Sequence, residues 1–182
     1  PEGFVFSMKA SRFCTNRRQL ADAAESIQRF VNQGLVELKG RAGPINWQLA
    51  ATKKFDAEDI GNFFRLLPKE VGGLTLRHAL EVRNETFKDK AFYDLARKHN
   101  VAIIFADDDT FPEIDEPTAD FTYARLMRSE EKVKTGYKPA DLDKWAKRVK
   151  AWAKRGDVFI YFISGAKVRN PAAAQALIER VG

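Results

Sequence analysis

The stretch "RHALEVRNETF", residues 77–87, decides the fold. Leu80 and Val82 have the character of a buried strand, and Glu81 and Arg83 alternate with them. Successive side chains of a strand point to opposite faces, so the carboxylate and the guanidinium share one face and the two apolar residues share the other. A strand that packs outward on helices and carries charge inward, then breaks into a polar loop, suits a sheet whose concave face opens into a polar mouth.

Working outward, five more strand-like runs occur: "FVFSMKA" (4–10), "PINWQLA" (44–50), "VAIIFAD" (101–107), "DFTYARL" (120–126) and "DVFIYFI" (157–163). Amphipathic helical patterns separate most of them, near 17–33, after Asp56, near 88–99, over 139–155 and over 171–180. The helix over 139–155 opens on Pro139 and stops before Gly156, as helices prefer. Asn170 is placed as the N-cap of the last one. Residues 107–119, "DDDTFPEIDEPTA", read as an acidic loop broken by proline.

Strands alternating with helices predict a parallel sheet, buried on both faces, as the dense apolar runs require. An open doubly wound sheet and a (β/α)8 barrel both fit. The first usually announces itself by a glycine-rich phosphate turn, and no GxGxxG or GxxxxGK[ST] pattern is present. The second collects functional side chains at the C-terminal ends of many strands. Here the strands end in Ser7 and Lys9, Asn46 and Gln48, Glu81 and Arg83, Asp107, Tyr123 and Arg125, and Ser164. The expected fold is α/β, a TIM-type (β/α) barrel forming a single domain over residues 1–182, with six strands visible.

The 182 residues are 45% hydrophobic and 31% charged, as suits one globular domain. No apolar run is long enough for a transmembrane helix, and the start lacks the basic-then-apolar pattern of a signal peptide. The single cysteine, Cys14, excludes an intrachain disulfide and fits a reducing compartment such as the cytoplasm. With one Cys and two His, a zinc site is not expected. The net charge is +6, concentrated in residues 121–182, which hold 14 Lys and Arg against 6 Asp and Glu. Such a surface could attract nucleic acid, but most of these lysines read as the wet faces of helices. In "KWAKRVKAWAKR", Trp145, Val149 and Trp152 share one stripe with Leu142, which marks them as core.

The motifs "FVFSMKASRFCTN", "GPINWQLA", "ALEVRNETF", "DFTYARLM" and "DVFIYFI", in this order, resemble the YecE-like family of TIM barrels, a domain of unknown function. The resemblance covers nearly the whole chain. Lys9, Arg12, Thr15, Trp47, Gln48, Glu81, Arg83, Tyr123 and Arg125 match the family pattern. It implies two further β/α units ahead of those seen here, so the chain, which starts without methionine, reads as lacking its N-terminal two units. Family histidines are replaced by Asn16 and Asn84, and by Met127 where His-Gly usually follows the Tyr-x-Arg strand. The last strand runs on into Ile163 and Ser164 where the family tends to Phe-Asn-Asn. Histidine is the side chain best suited to proton transfer near neutral pH, so any step the family assigns to one is affected.

Three functions follow as expectations. The first is an enzyme acting on a small anionic, phosphorylated or sugar-like, substrate. Glu81 would be its general acid or base and Tyr123 an orienting group or proton donor. Lys9, Arg12, Gln48, Arg83, Arg125 and Ser164 would hold the substrate, the arginines binding two oxygens at once. Ser164 and Gly165, before the last helix, occupy the usual phosphate position of a barrel. No cofactor is expected. Glu81 and Asp107 offer oxygens to a divalent metal, but a solvated acidic loop is the commoner fate of a run such as Asp107–Asp109. The second reading is a nucleic-acid binder, and the third a scaffold that kept the fold and lost catalysis.

Overall fold

The computed structural model describes residues 2–182. The strands are β1 (Phe6–Lys9), β2 (Ala42–Gln48), β3 (Glu70–Val71), β4 (Leu74–Thr75), β5 (His78–Glu81), β6 (Val101–Ile103), β7 (Phe105–Asp107), β8 (Phe121–Leu126) and β9 (Asp157–Phe162). The helices are α1 (Arg12–Thr15), α2 (Ala24–Val31), α3 (Ala57–Leu66), α4 (Lys90–Lys98), α5 (Pro139–Trp152) and α6 (Asn170–Val181). One parallel sheet runs β1-β2-β5-β6 and a second runs β7-β8-β9. A small antiparallel hairpin, β3–β4, precedes β5; it turns on Gly72 and Gly73, both with positive φ.

The two parallel sheets are halves of one array. The expected strand 101–107 divides at Ile104 between partners: Val101–Ile103 pair with His78–Leu80, and Phe105–Asp107 pair with Ala124–Leu126. The free edge of β6 is closed by a side chain. Thr118 Oγ1 accepts from Ile103 N at 3.1 Å and donates to the Val101 carbonyl at 2.7 Å. A loop hydroxyl thus satisfies backbone groups that a continuing ladder would have paired.

The outer face of the array is covered by helices. Ile45, Trp47, Leu80, Val82, Val101 and Ile103 pack with residues of α2, α3 and α4 in one core. Phe105, Ala124 and Leu126 pack with α5 and α6 in another. Trp47 meets Phe30 and Phe63 edge-on, at 5.6 and 5.8 Å between ring centroids. Trp47 and Phe63 are fully buried, and a fully buried side chain such as Phe63 contributes on the order of 1.5–3 kcal/mol. Val149 and Trp152 are buried here, and Trp145 packs against the same core, as the helical stripe predicts. The inner face is thinner: Ala79, Ala102, Ile104, Phe121 and Tyr123 form a small cluster with Phe159 and Tyr161 against it.

Four expectations are corrected. First, the array does not close a barrel: β1 and β9 stand at opposite ends and do not pair. Phe4 and Phe6 beside the β1 edge are exposed. Second, the helix expected over 17–33 is a 3-10 turn, Leu20–Ala23, followed by α2. Asp59 of α3 sets this start, accepting from Leu20 N at 2.7 Å and Ala21 N at 3.4 Å, so a residue distant in sequence supplies the cap. Third, Asn170 is not an N-cap. It lies inside the first turn of α6 with helical φ/ψ, and its amide links Ser129 Oγ (2.7 Å) to the Ser164 carbonyl (3.2 Å). Fourth, the β3–β4 hairpin and the 3-10 segment Leu35–Arg41 stand where no element was expected. By contrast Asp56 caps α3 through Asp59 N (2.9 Å), and Pro139 opens α5.

No described helix is long and apolar enough to cross a membrane.

Candidate functional site

Glu81 ends β5 on the inner face, opposite Gln48 of β2. Its carboxylate is wholly buried, 0% exposed, and both oxygens are engaged. Oε1 accepts from Arg83 Nε at 2.9 Å and Nη2 at 2.7 Å. Oε2 accepts from Arg125 Nη1 and, at 3.2 Å, from Asn46 Nδ2. The sequence folds this way because Glu81 and Arg83 alternate with Leu80 and Val82, which the outer core buries. Arg125 lies on the same face as Tyr123 in β8 and reaches Glu81 across the array.

One carboxylate therefore faces two guanidiniums, and the cluster keeps a net positive charge. Arg83 is further held over the Phe111 ring, its Cζ 4.4 Å from the centroid. Each arginine keeps N–H donors beyond those spent on Glu81. Such a fixed pair of forks can bind a carboxylate or phosphate.

Below this layer Tyr123 is stacked on Tyr161 at 5.1 Å, and its hydroxyl is 3.2 Å from Ser7 Oγ, whose one hydrogen goes to the Pro44 carbonyl at 2.9 Å and whose lone pairs are left for Tyr123. Burial holds the Tyr123 phenol above its ordinary value, so it stays protonated and can donate. Asn46 is buried beside Glu81, and its Oδ1 has no hydrogen-bond partner. An orphaned buried acceptor is costly unless a donor meets it.

The structure brings Glu81, Arg83, Arg125 and Tyr123 onto one inner surface. Gln48 joins them by register, and Lys9 stands in register with Asn46 at the exposed rim. Arg12 and Ser164 are not drawn into the Glu81 cluster. Arg12 is exposed in α1 with its guanidinium 6.0 Å from the Phe13 ring centroid. Ser164 is exposed with φ +55°, its carbonyl bound to Asn170. Asn46, one of the polar strand-end residues, joins the cluster through Glu81, and Phe111 is a participant that sequence reasoning passed over. Phe111 sits in an irregular loop and carries no periodic signal.

Asp107 does not join Glu81. Its parity matches Phe105, so it faces α5, where it meets Arg128 and Tyr137. Among the described residues no group of three or more His, Cys, Asp or Glu is arranged to hold a metal ion.

The comparisons agree with this architecture. A family model described as "Protein of unknown function DUF72" matches residues 1–182. A crystal structure of a DUF72 family protein from Thermotoga maritima is similar with a TM-score of 0.72 at 19% identity, over 98% of this chain and 73% of that one. Two crystal structures from Enterococcus faecalis, also of the DUF72 family, are similar at 16% identity. Their TM-scores are 0.75 and 0.73, over 98% and 100% of this chain and 78% and 75% of those. At such identities the likeness concerns the fold. No curated protein matches the chain.

Proposed function

The chain belongs to the DUF72 family, and from that premise we propose that its inner mouth binds a small anionic ligand, phosphorylated or sugar-like. The observation that carries this reading is the ratio at Glu81: one buried carboxylate orients two arginines and leaves the mouth cationic. Lys9 at the rim adds charge. Arg83 and Arg125 are the anion clamp, with Gln48 beside them. Tyr123, kept protonated by burial, is the donor available for acid chemistry. In this arrangement Glu81 acts on the ligand through the arginines, since neither of its oxygens is free to serve as a general base. The open array of parallel strands reads as an arc of a β/α barrel, and the resemblance to the YecE-like family implies a mouth at the C-terminal ends of its strands.

Calorimetric titration with inorganic pyrophosphate tests the reading. Each charge-assisted hydrogen bond is worth about 1.5–3 kcal/mol. Arg125→Met should therefore weaken binding by about tenfold or more, and Lys9→Met, at an exposed position, by a smaller factor. Failure to bind pyrophosphate, or equal affinity in both variants and the wild type, rejects the anion site.

A further inference from the structure

A second concavity lies on the other side of the sheet, between α5 and the C-terminal ends of β7 and β8. It encloses about 410 Å³ and is lined by Asp107, Arg128, Glu130, Tyr137, Lys144 and Trp145 among others. That is within the size range of small-molecule sites. Glu81, Arg83, Arg125 and Tyr123 do not line it.

The charges lining it are unequally satisfied. Arg148 is spent: it pairs with Asp115 at 2.9 Å and lies on the Phe105 ring at 4.1 Å. Lys144 pairs with Asp141 at 3.3 Å. Arg128 divides itself between the Asp108 carbonyl at 2.7 Å, Asp109 at 3.2 Å and Asp107 at 3.3 Å. Asp107 is 5% exposed, yet its contacts are long: 3.3 Å to Arg128 and 3.4 Å to the Tyr137 hydroxyl. Charge-assisted hydrogen bonds to a carboxylate normally run about 2.7–2.9 Å. Burial accordingly raises the Asp107 carboxyl above its ordinary value, which Arg128 and Tyr137 only partly offset. Glu130 has no ion-pair partner among the described residues. Each lining cation is thus held by a carboxylate, whereas Asp107 has only long partners and the exposed Glu130 has none; the Trp145 indole, with Arg148 5.5 Å from its centroid, forms a wall.

We propose that this concavity binds a small aromatic amine, its ammonium group held by Asp107 and Glu130 and its ring against Trp145. An ammonium supplies the short donors that Asp107 lacks, and the carboxylates with the indole face favour a cation over an anion. The selectivity is opposite in sign to that of the cationic mouth.

Benzylamine is the probe, with benzoate and benzyl alcohol as its anionic and neutral counterparts. Binding is followed by the ¹H–¹⁵N resonance of the Trp145 indole, assigned with Trp145→Phe. Benzylamine should shift that resonance saturably and bind at least tenfold more tightly than benzoate or benzyl alcohol. Asp107→Asn should weaken it about tenfold, and Glu130→Gln, at an exposed position that the fold tolerates, about threefold. The proposal is overturned if benzylamine gives no saturable shift, if benzoate or benzyl alcohol binds as well, or if the variants bind like the wild type. Should Asp107→Asn fail to fold, Glu130→Gln and the three-ligand comparison still decide.

Discussion

Replacing Glu81 by glutamine removes one charge and little volume, so its cost measures how far the inner cluster depends on the carboxylate. Two guanidiniums converge on it, with side chains 24% (Arg83) and 14% (Arg125) exposed around a group that is 0% exposed. Breaking a buried pair by removing one partner costs about 3–5 kcal/mol, because the surviving charge stays buried. Both arginines retain some access to water, which places the estimate near the lower end, at about 3 kcal/mol. The glutamine also turns an N–H₂ group toward donors, so one guanidinium loses its acceptor. For a domain of 150–250 residues, 1 kcal/mol shifts the melting temperature by about 2–4 °C, so Glu81→Gln should lower Tm by about 6–12 °C. Thermal unfolding followed by circular dichroism reads this directly. The double variant Glu81→Gln/Arg125→Met should be less destabilised than the two single losses combined, because it removes one stranded charge. A Tm drop under about 2 °C, or strictly additive losses, would refute the argument that Glu81 holds the arginines.

Two further outcomes follow from the fold. Gly156 has φ +145°, and a Cβ there would lie 2.0 Å from the Asp120 carbonyl oxygen; Gly156→Ala should cost more than about 1 kcal/mol and at least about 2 °C in Tm, and an unchanged Tm would contradict the close approach of the α5–β9 turn to β8. The second concerns pH. His78 is buried between the Trp47 indole, which donates to Nδ1 at 3.0 Å, and the Pro68 carbonyl, 2.8 Å from Nε2; this network assigns the neutral Nε2–H tautomer. Burial lowers its pKa from the ordinary 6.5, so the unfolded chain takes up the proton first as pH falls. Stability is full above that value and declines below it, by about 1.4 kcal/mol per pH unit for one such group. His99, also lowered by burial, adds in the same direction, whereas Asp107, raised, opposes it at lower pH. Between pH 6.5 and about 5.5, His99→Gln should keep most of the decline in Tm; a flat profile in that variant would mean His78 is not held neutral.

Alternation made much of this protein legible. The period of two in "HALEVR" puts Glu81 and Arg83 on one face and Leu80 and Val82 on the other, and the structure places Leu80 and Val82 in the outer core. The stripe Leu142–Trp145–Val149–Trp152 identified the buried face of α5 for the same reason. These are local facts, because side-chain direction follows from backbone geometry alone. Tertiary structure decided what depends on neighbours distant in sequence. Asp59 fixes where the second helical segment starts, and Thr118 seals the edge of β6. The division of residues 101–107 between two partners cannot be read from a run whose residues are all apolar or acidic. Whether six strands close is a property of the whole array, set by cumulative twist and strand number, and here β1 and β9 remain apart. The sequence alone named Glu81 and its arginines as a cluster; only the fold showed both carboxylate oxygens already taken, because that count depends on Arg125 arriving from 44 residues away.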